Sequence, residues 1–187
     1  MNVRQSTEVA AALASGKPVV ALGSTITSKM GRPAPYNREC FDRVNAAIRA
    51  AGAVPAVTAV IDGELWAGIE PHHEALVLAA DEKLAERDLP VAMAAKRTGV
   101  TTVSATVTIA GLAGIGVFAT GGIGGVHRGA ELNFDVSSDL GAMSRHPVIV
   151  VSAGAKAFLD LPKTLEVLET LSERERKQIR VAFSSGK

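Results

Sequence analysis

Short apolar runs alternate with amphipathic stretches along most of this chain. Residues 5–16 read as a helix closed by Gly16, and Pro18 to Leu22 as a buried strand. After a Ser-, Thr-, Gly- and Pro-rich loop, Phe41, Val44, Ala47, Ile48 and Ala51 recur at helical spacing with charged residues between them, which predicts an amphipathic helix stopped by Gly52. Val54 to Ile61 follows as a strand. Asp62-Gly63 is a two-residue hairpin signal, so Glu64 to Ile69 is expected to return as an edge strand. Residues 71–87 are expected to be helical and Leu89 to Ala95 to be a strand. Thr101 to Ala113, Ser138 to Ser144 and Lys156 to Thr170 read as helices, with strands at Val117 to Ala119 and Pro147 to Val151. Alternating strands and helices predict an α/β fold with a largely parallel central sheet and helices on both faces. Residues 1–170 form the expected domain. Residues 171–187 form a divergent, charged tail in which Ser172-Glu173-Arg174-Glu175 reads as a helix-opening capping box.

At 187 residues the chain suffices for one ordinary domain with a core of its own. A net charge of +1 argues against a general nucleic-acid binder, which needs a basic surplus. The single cysteine, Cys40, leaves no internal disulfide and no cysteine zinc site. Residues 98–126 carry no charge, but Gly121-Gly122-Ile123-Gly124-Gly125 interrupts them, so no membrane span is expected. The N-terminus lacks the apolar core of a signal peptide. A cytoplasmic location is the expectation.

The densest chemical signal is Thr120-Gly-Gly-Ile-Gly-Gly-Val-His127-Arg128-Gly129, directly after an apolar strand. Loops at the C-terminal ends of parallel strands are where such sheets bind ligands. Five glycines are expected to expose N–H groups to a phosphate, with Arg128 as its partner. The pattern is neither a dinucleotide fingerprint nor an ATP loop. Asp135 and Asp139 follow, and their spacing leaves helix capping and divalent-metal binding both open. Lys156, at a strand end among alanines in Ala153-Gly-Ala-Lys156, is expected in a dry setting. Such a setting favours the neutral amine that attacks carbonyls. Lys83 and Lys96 are weaker candidates, Lys83 lying in a charged stretch expected to be a solvated helix face.

Phe118-Ala-Thr-Gly-Gly-Ile-Gly-Gly-Val-His-Arg-Gly-Ala-Glu131, with Phe134-Asp135, Ser138-Asp139-Leu140 and Ala153-Gly-Ala-Lys156, resembles the pseudouridine-5′-phosphate glycosidase family, to which indigoidine synthase A-like proteins belong. Pro18 to Leu22, Ser24-Thr25-Ile26 and Arg87-Asp88-Leu89-Pro90 add to the match, which covers roughly residues 8 to 170. The resemblance implies reversible cleavage of the C–C glycosidic bond between uracil and ribose 5-phosphate. It makes Lys156 the Schiff-base lysine and Lys83 a second functional lysine. Thr120, His127 and Ser137 become pocket residues, and Asp139 belongs to a manganese site. It also implies a trimeric homo-oligomer and a small phosphorylated nucleoside or sugar phosphate as ligand.

Two departures stand out. The family carries a catalytic Glu at the first strand end, where this chain has Gly23 in Ala21-Leu-Gly-Ser-Thr25; the neighbouring loop, Lys29-Met-Gly-Arg-Pro33, also differs. The resemblance fades after Thr170, short of the family's usual length. The expectations are therefore an active or residual glycosidase, a catalytically degenerate sugar-phosphate- or partner-binding member, or a C-glycosynthase of secondary metabolism.

Overall fold

A computed structural model describes residues 1–175 and 181–183. The expected α/β architecture is present as one nine-stranded, mostly parallel sheet. Its strands are β1 (Val3–Gln5), β2 (Val19–Gly23), β3 (Val54–Ile61), β4 (Glu64–Ala67), β5 (Lys83–Leu84), β6 (Gly99–Thr101), β7 (Val117–Thr120), β8 (Ile149–Ser152) and β9 (Val181–Phe183). The helices are α1 (Thr7–Ala14), α2 (Tyr36–Ala50), α3 (Glu74–Ala79), α4 (Leu89–Ala94), α5 (Val103–Leu112), α6 (Ala130–Asn133), α7 (Ser138–Arg145) and α8 (Leu161–Glu175).

The order β1-β4-β3-β2-β7-β8-β9 places β2 and β7 side by side, while β6 and then β5 branch from β3. Every residue of β3 is buried, as expected of a strand covered on both faces. Val54, Ala56 and Val60 face a core shared with α1, α4, α5, α7 and α8. Val57 packs on the other side with Phe41 of α2 and with Leu78. The Asp62-Gly63 hairpin forms, both residues having positive φ, as the tight turn requires.

Several expectations change. The segment 71–87 is not one helix. Pro71 opens a short 3-10 turn, α3 ends at Ala79, and the chain then extends so that Val100 and Thr102 donate to the carbonyls of Glu82 and Leu84 at 2.8 and 2.9 Å. An unpaired edge of β6 outweighs local helix preference there, and Lys83 is carried on a strand. Leu89 to Ala94 is helix rather than strand. Leu89 and Ala92, three apart, are its buried positions, and Pro90 sits in its first turn, where the missing N–H costs nothing. β4 is not an edge strand, because β1 pairs parallel to it on the outside. Helix α8 begins at Leu161, five residues beyond Lys156, and runs through Ser172, where a helix start was expected. Within the expected charged tail Val181–Phe183 is strand, and residues 176–180 and 184–187 lie outside the described residues.

Candidate active site

The C-terminal ends of β2, β7 and β8, with those of β5 and β6, surround a cavity of about 860 Å³. Thr120, His127, Ser137, Asp139, Lys83 and Lys156 all line it. Arg128 does not; it is exposed and lies in the field of Asp160.

Two loops build the wall that carries Lys156. The glycine segment after β7 and the segment after β8 zip together. Ile123 N–H donates to the Gly154 carbonyl at 3.1 Å, Lys156 N–H to the Ile123 carbonyl at 3.2 Å, and Asp160 N–H to the Val126 carbonyl at 2.8 Å. Glycine is required for close approach. A Cβ on Gly124 would stand 2.2 Å from Ser137 Oγ and 2.8 Å from Asp139 Oδ2, and one on Gly125 would stand 2.5 Å from Thr164 Oγ1. This packing commits part of the expected phosphate cradle. The N–H groups of Ile123, Gly124, Val126 and His127 are spent on Gly154, Asp139, Thr164 and Asp135. Lys156 is exposed rather than dry, because its loop runs along the cavity rim with Ala157 and Phe158 also exposed.

Asp139 is buried, at 7% exposure, and its carboxylate has a definite task. Oδ1 accepts from Ser104 N–H at 2.9 Å and Oδ2 from Gly124 N–H at 2.8 Å. Ser104 lies in the first turn of α5, whose own N-cap residue, Thr102, makes no side-chain capping bond. Asp139 thus caps α5 from a neighbouring helix while Ser137 Oγ caps its own helix, accepting from Asp139 N–H at 3.2 Å. The cap expected of Asp139 at the start of its own helix is supplied by Ser137, and Asp139 serves the first turn of α5 instead.

Among the described residues no group of three or more His, Cys, Asp or Glu gathers as a metal cage. The other acid, Asp135, is exposed, with Oδ2 3.6 Å from Nδ1 of His127. Asp139 does not present a free carboxylate. This donor set fits an oxygen-seeking ion that keeps most of its water, placed at Asp135 beside His127.

Sequence reading missed the cavity floor. Gly23 lies above a buried hydroxyl cluster in which Thr58 Oγ1 is 2.7 Å from Thr101 Oγ1 and 3.1 Å from Thr106 Oγ1, and Ser24 Oγ is 3.2 Å from Thr101 Oγ1. A Cβ added at Gly23 would meet Thr106 Oγ1 at 3.1 Å. The available signal was the density of Thr in apolar segments, since a buried hydroxyl needs a partner.

Comparison with known proteins gives the family. Residues 8–173 match the model of the family described as indigoidine synthase A like protein, and the chain belongs to that family. It is 58% identical over 172 residues to a pseudouridine-5′-phosphate glycosidase of Roseobacter denitrificans, a match covering 91% of this chain and 55% of that protein. It is 57% identical to that of Herpetosiphon aurantiacus, covering 87% and 54%. Among solved structures it resembles the prealnumycin C-glycosynthase AlnA in complex with ribulose 5-phosphate, with 39% identity and a TM-score of 0.83, covering 91% of this chain and 55% of that one. An indigoidine synthase A-like protein of Thermotoga maritima gives 35% identity and 0.78. The chain spans about half the length of these relatives. Among the described residues no helix is long and apolar enough to cross a membrane.

Proposed function

We propose that this chain carries the sugar-phosphate half of a pseudouridine-5′-phosphate glycosidase-type site, with Lys156 as the nucleophile. The observation that supports this is the convergence of Lys156, Lys83, His127, Thr120 and Ser137 on one cavity at the parallel strand ends. In the cleavage direction the Lys156 amine, having given up a proton, attacks C1′ of the ribose and the C1′–O4′ bond breaks, O4′ taking a proton. The nitrogen lone pair then forms a C=N bond to C1′ as the C1′–uracil bond breaks, and the uracil carbon takes a proton. Water adds to the iminium, releasing ribose 5-phosphate and restoring the amine. A carbon leaving group offers no lone pair to protonate, so the nitrogen lone pair of the lysine adduct supplies the electrons that drive the C1′–uracil pair onto the uracil carbon, which takes the proton.

Ser137 and Thr120 supply hydroxyls to the sugar, and Lys83 a positive charge from the opposite wall. Asp135 and His127 would hold a divalent ion of the manganese type. Such an ion, when bound, polarises an oxygen of the ligand or of water.

Gly23 favours a second reading, a member that binds sugar phosphate and turns it over weakly, since glycine transfers no proton. Borohydride reduction in the presence of ribose 5-phosphate, followed by peptide mass spectrometry, tests both. A reduced pentose phosphate adduct on Lys156 supports the nucleophile assignment. An adduct on Lys83, or none while the folded protein binds ribose 5-phosphate, overturns it. An adduct on Lys156 without release of uracil from pseudouridine 5′-phosphate selects the second reading.

A further inference from the structure

Arginine in this molecule is almost everywhere matched to an acid. Arg4 stands on Glu64, Arg38 on Glu74, Arg49 on Glu8, Arg97 on Glu82 and Arg145 on Glu86. Arg43 and Arg87 pair locally with Glu39 and Asp88, while Arg128, outside the cavity, feels Asp160 only through its charge. Arg32 differs from these: it is exposed, it lines the cavity, and among the described residues no acid is paired with its guanidinium.

Its position is built rather than loose. Fully buried Ser28 organises the turn: its carbonyl accepts the N–H groups of both Gly31 and Arg32 at 3.0 Å, and its Oγ donates to the Thr25 carbonyl at 2.9 Å. A Cβ on Gly31 would fall 2.4 Å from the Thr25 oxygen, so only glycine lets the turn close onto the strand end. Lys29 N–H anchors the other side to the Leu78 carbonyl at 3.0 Å. Arg32 therefore projects from a closed turn after β2, whereas Lys156 comes from the wall after β8. Strand β7 lies between them, so the two strand ends are about 10 Å apart, two strand spacings.

The charge balance of the cavity points to an anion. Arg32, Lys83 and Lys156 face one lining carboxylate, Asp139, which is already directed at two backbone N–H groups. Part of the backbone is already committed, the N–H groups of Ile123, Gly124, Val126 and His127 meeting protein acceptors. The net positive charge facing a phosphate comes from the side chains. A guanidinium is the group that meets a phosphate at two points in a fixed plane.

We propose that Arg32 is the phosphate-recognition residue of this cavity, gripping the terminal phosphate of a sugar phosphate whose carbonyl carbon is presented to Lys156. The inference rests on the sugar-phosphate reading above and adds its specificity determinant: a terminal phosphate, and not the sugar alone, is what Arg32 selects.

The test is calorimetric titration of the full chain with ribose 5-phosphate, ribose and inorganic phosphate, in wild type, Arg32→Ala and Arg32→Lys. Arg43→Ala, on the outer face of α2, serves as a charge control. Arg32→Ala is expected to weaken ribose 5-phosphate and inorganic phosphate by about 10- to 100-fold, the worth of a charged hydrogen-bonded pair, with ribose unchanged. Arg32→Lys is expected to recover part of the loss, and Arg43→Ala to change nothing. Equal affinity of Arg32→Ala and wild type for ribose 5-phosphate overturns the assignment, as does an equal loss for ribose or in the Arg43→Ala control. Arg32-dependent binding of phosphate with no borohydride adduct on Lys156 keeps the phosphate site and rejects the lysine chemistry. Failure of wild type to bind either phosphate compound rejects both.

Discussion

Asp139→Ala removes a buried carboxylate that accepts two backbone N–H groups, from Ser104 at 2.9 Å and Gly124 at 2.8 Å. Alanine offers no acceptor, and at 7% exposure the site gives water little access to replace one. Each hydrogen bond to a charged acceptor is worth about 1.5–3 kcal/mol, so the pair is worth about 3–6 kcal/mol. Against a typical domain stability of roughly 5–15 kcal/mol that is a large share. Asp139→Asn keeps one oxygen but turns an amide N–H₂ toward a backbone donor, and is expected to lose about half as much. Urea unfolding followed by circular dichroism measures both variants. A loss below about 1 kcal/mol for Asp139→Ala refutes the clamp. Manganese supplies an independent arm. If the ion sits at Asp135 and His127, it raises the melting temperature of wild type and of Asp139→Asn alike, and Asp135→Asn abolishes the rise. The opposite pattern returns the ion to Asp139.

Gly23→Glu places a Cβ 3.1 Å from Thr106 Oγ1 with ordinary backbone geometry, so the hydroxyl yields by a few tenths of an ångström and the fold is retained. Turnover of pseudouridine 5′-phosphate is expected to rise about ten-fold or more, as a positioned acid does; unchanged turnover in a folded variant places the defect elsewhere. Gly125→Ala drives a methyl to 2.5 Å from Thr164 Oγ1, which is buried and accepts Val126 N–H at 3.0 Å. The expected cost is about 1–3 kcal/mol by urea unfolding, and an unaltered midpoint contradicts the close approach. Burial and the neighbouring His72 hold His73 below its ordinary value, so unfolding takes up a proton there; the stability it contributes is complete above about pH 6.5 and is lost as pH falls. Glu8, held low by its bond to Arg49, adds loss below the ordinary carboxylate range. Melting temperature is thus expected to fall from pH 7 to pH 5, and His73→Asn to flatten that slope; an equal slope in the variant refutes the His73 contribution.

The chain's own pattern determined the α/β class, most element positions and the hairpin at Asp62-Gly63. These follow from local rules: burial on both faces makes an apolar run, and a positive φ asks for Gly or Asp. It also marked the segments from Thr120 to His127, from Ser137 to Asp139 and around Lys156 as the place of chemistry, because a glycine-rich segment at a strand end has few other uses. What those groups do was decided by partners distant in sequence. Asp139 meets the N–H of Ser104, 35 positions away, and Thr58 meets Thr101 across 43. The glycine loop spends its donors on Gly154 and Thr164. Segment 79–101 became strand, turn and helix because β6 had an open edge to pair. A residue's own neighbours set its burial and its allowed φ, but a hydrogen bond needs its acceptor within about 3 Å, and only the closed chain brings that acceptor there.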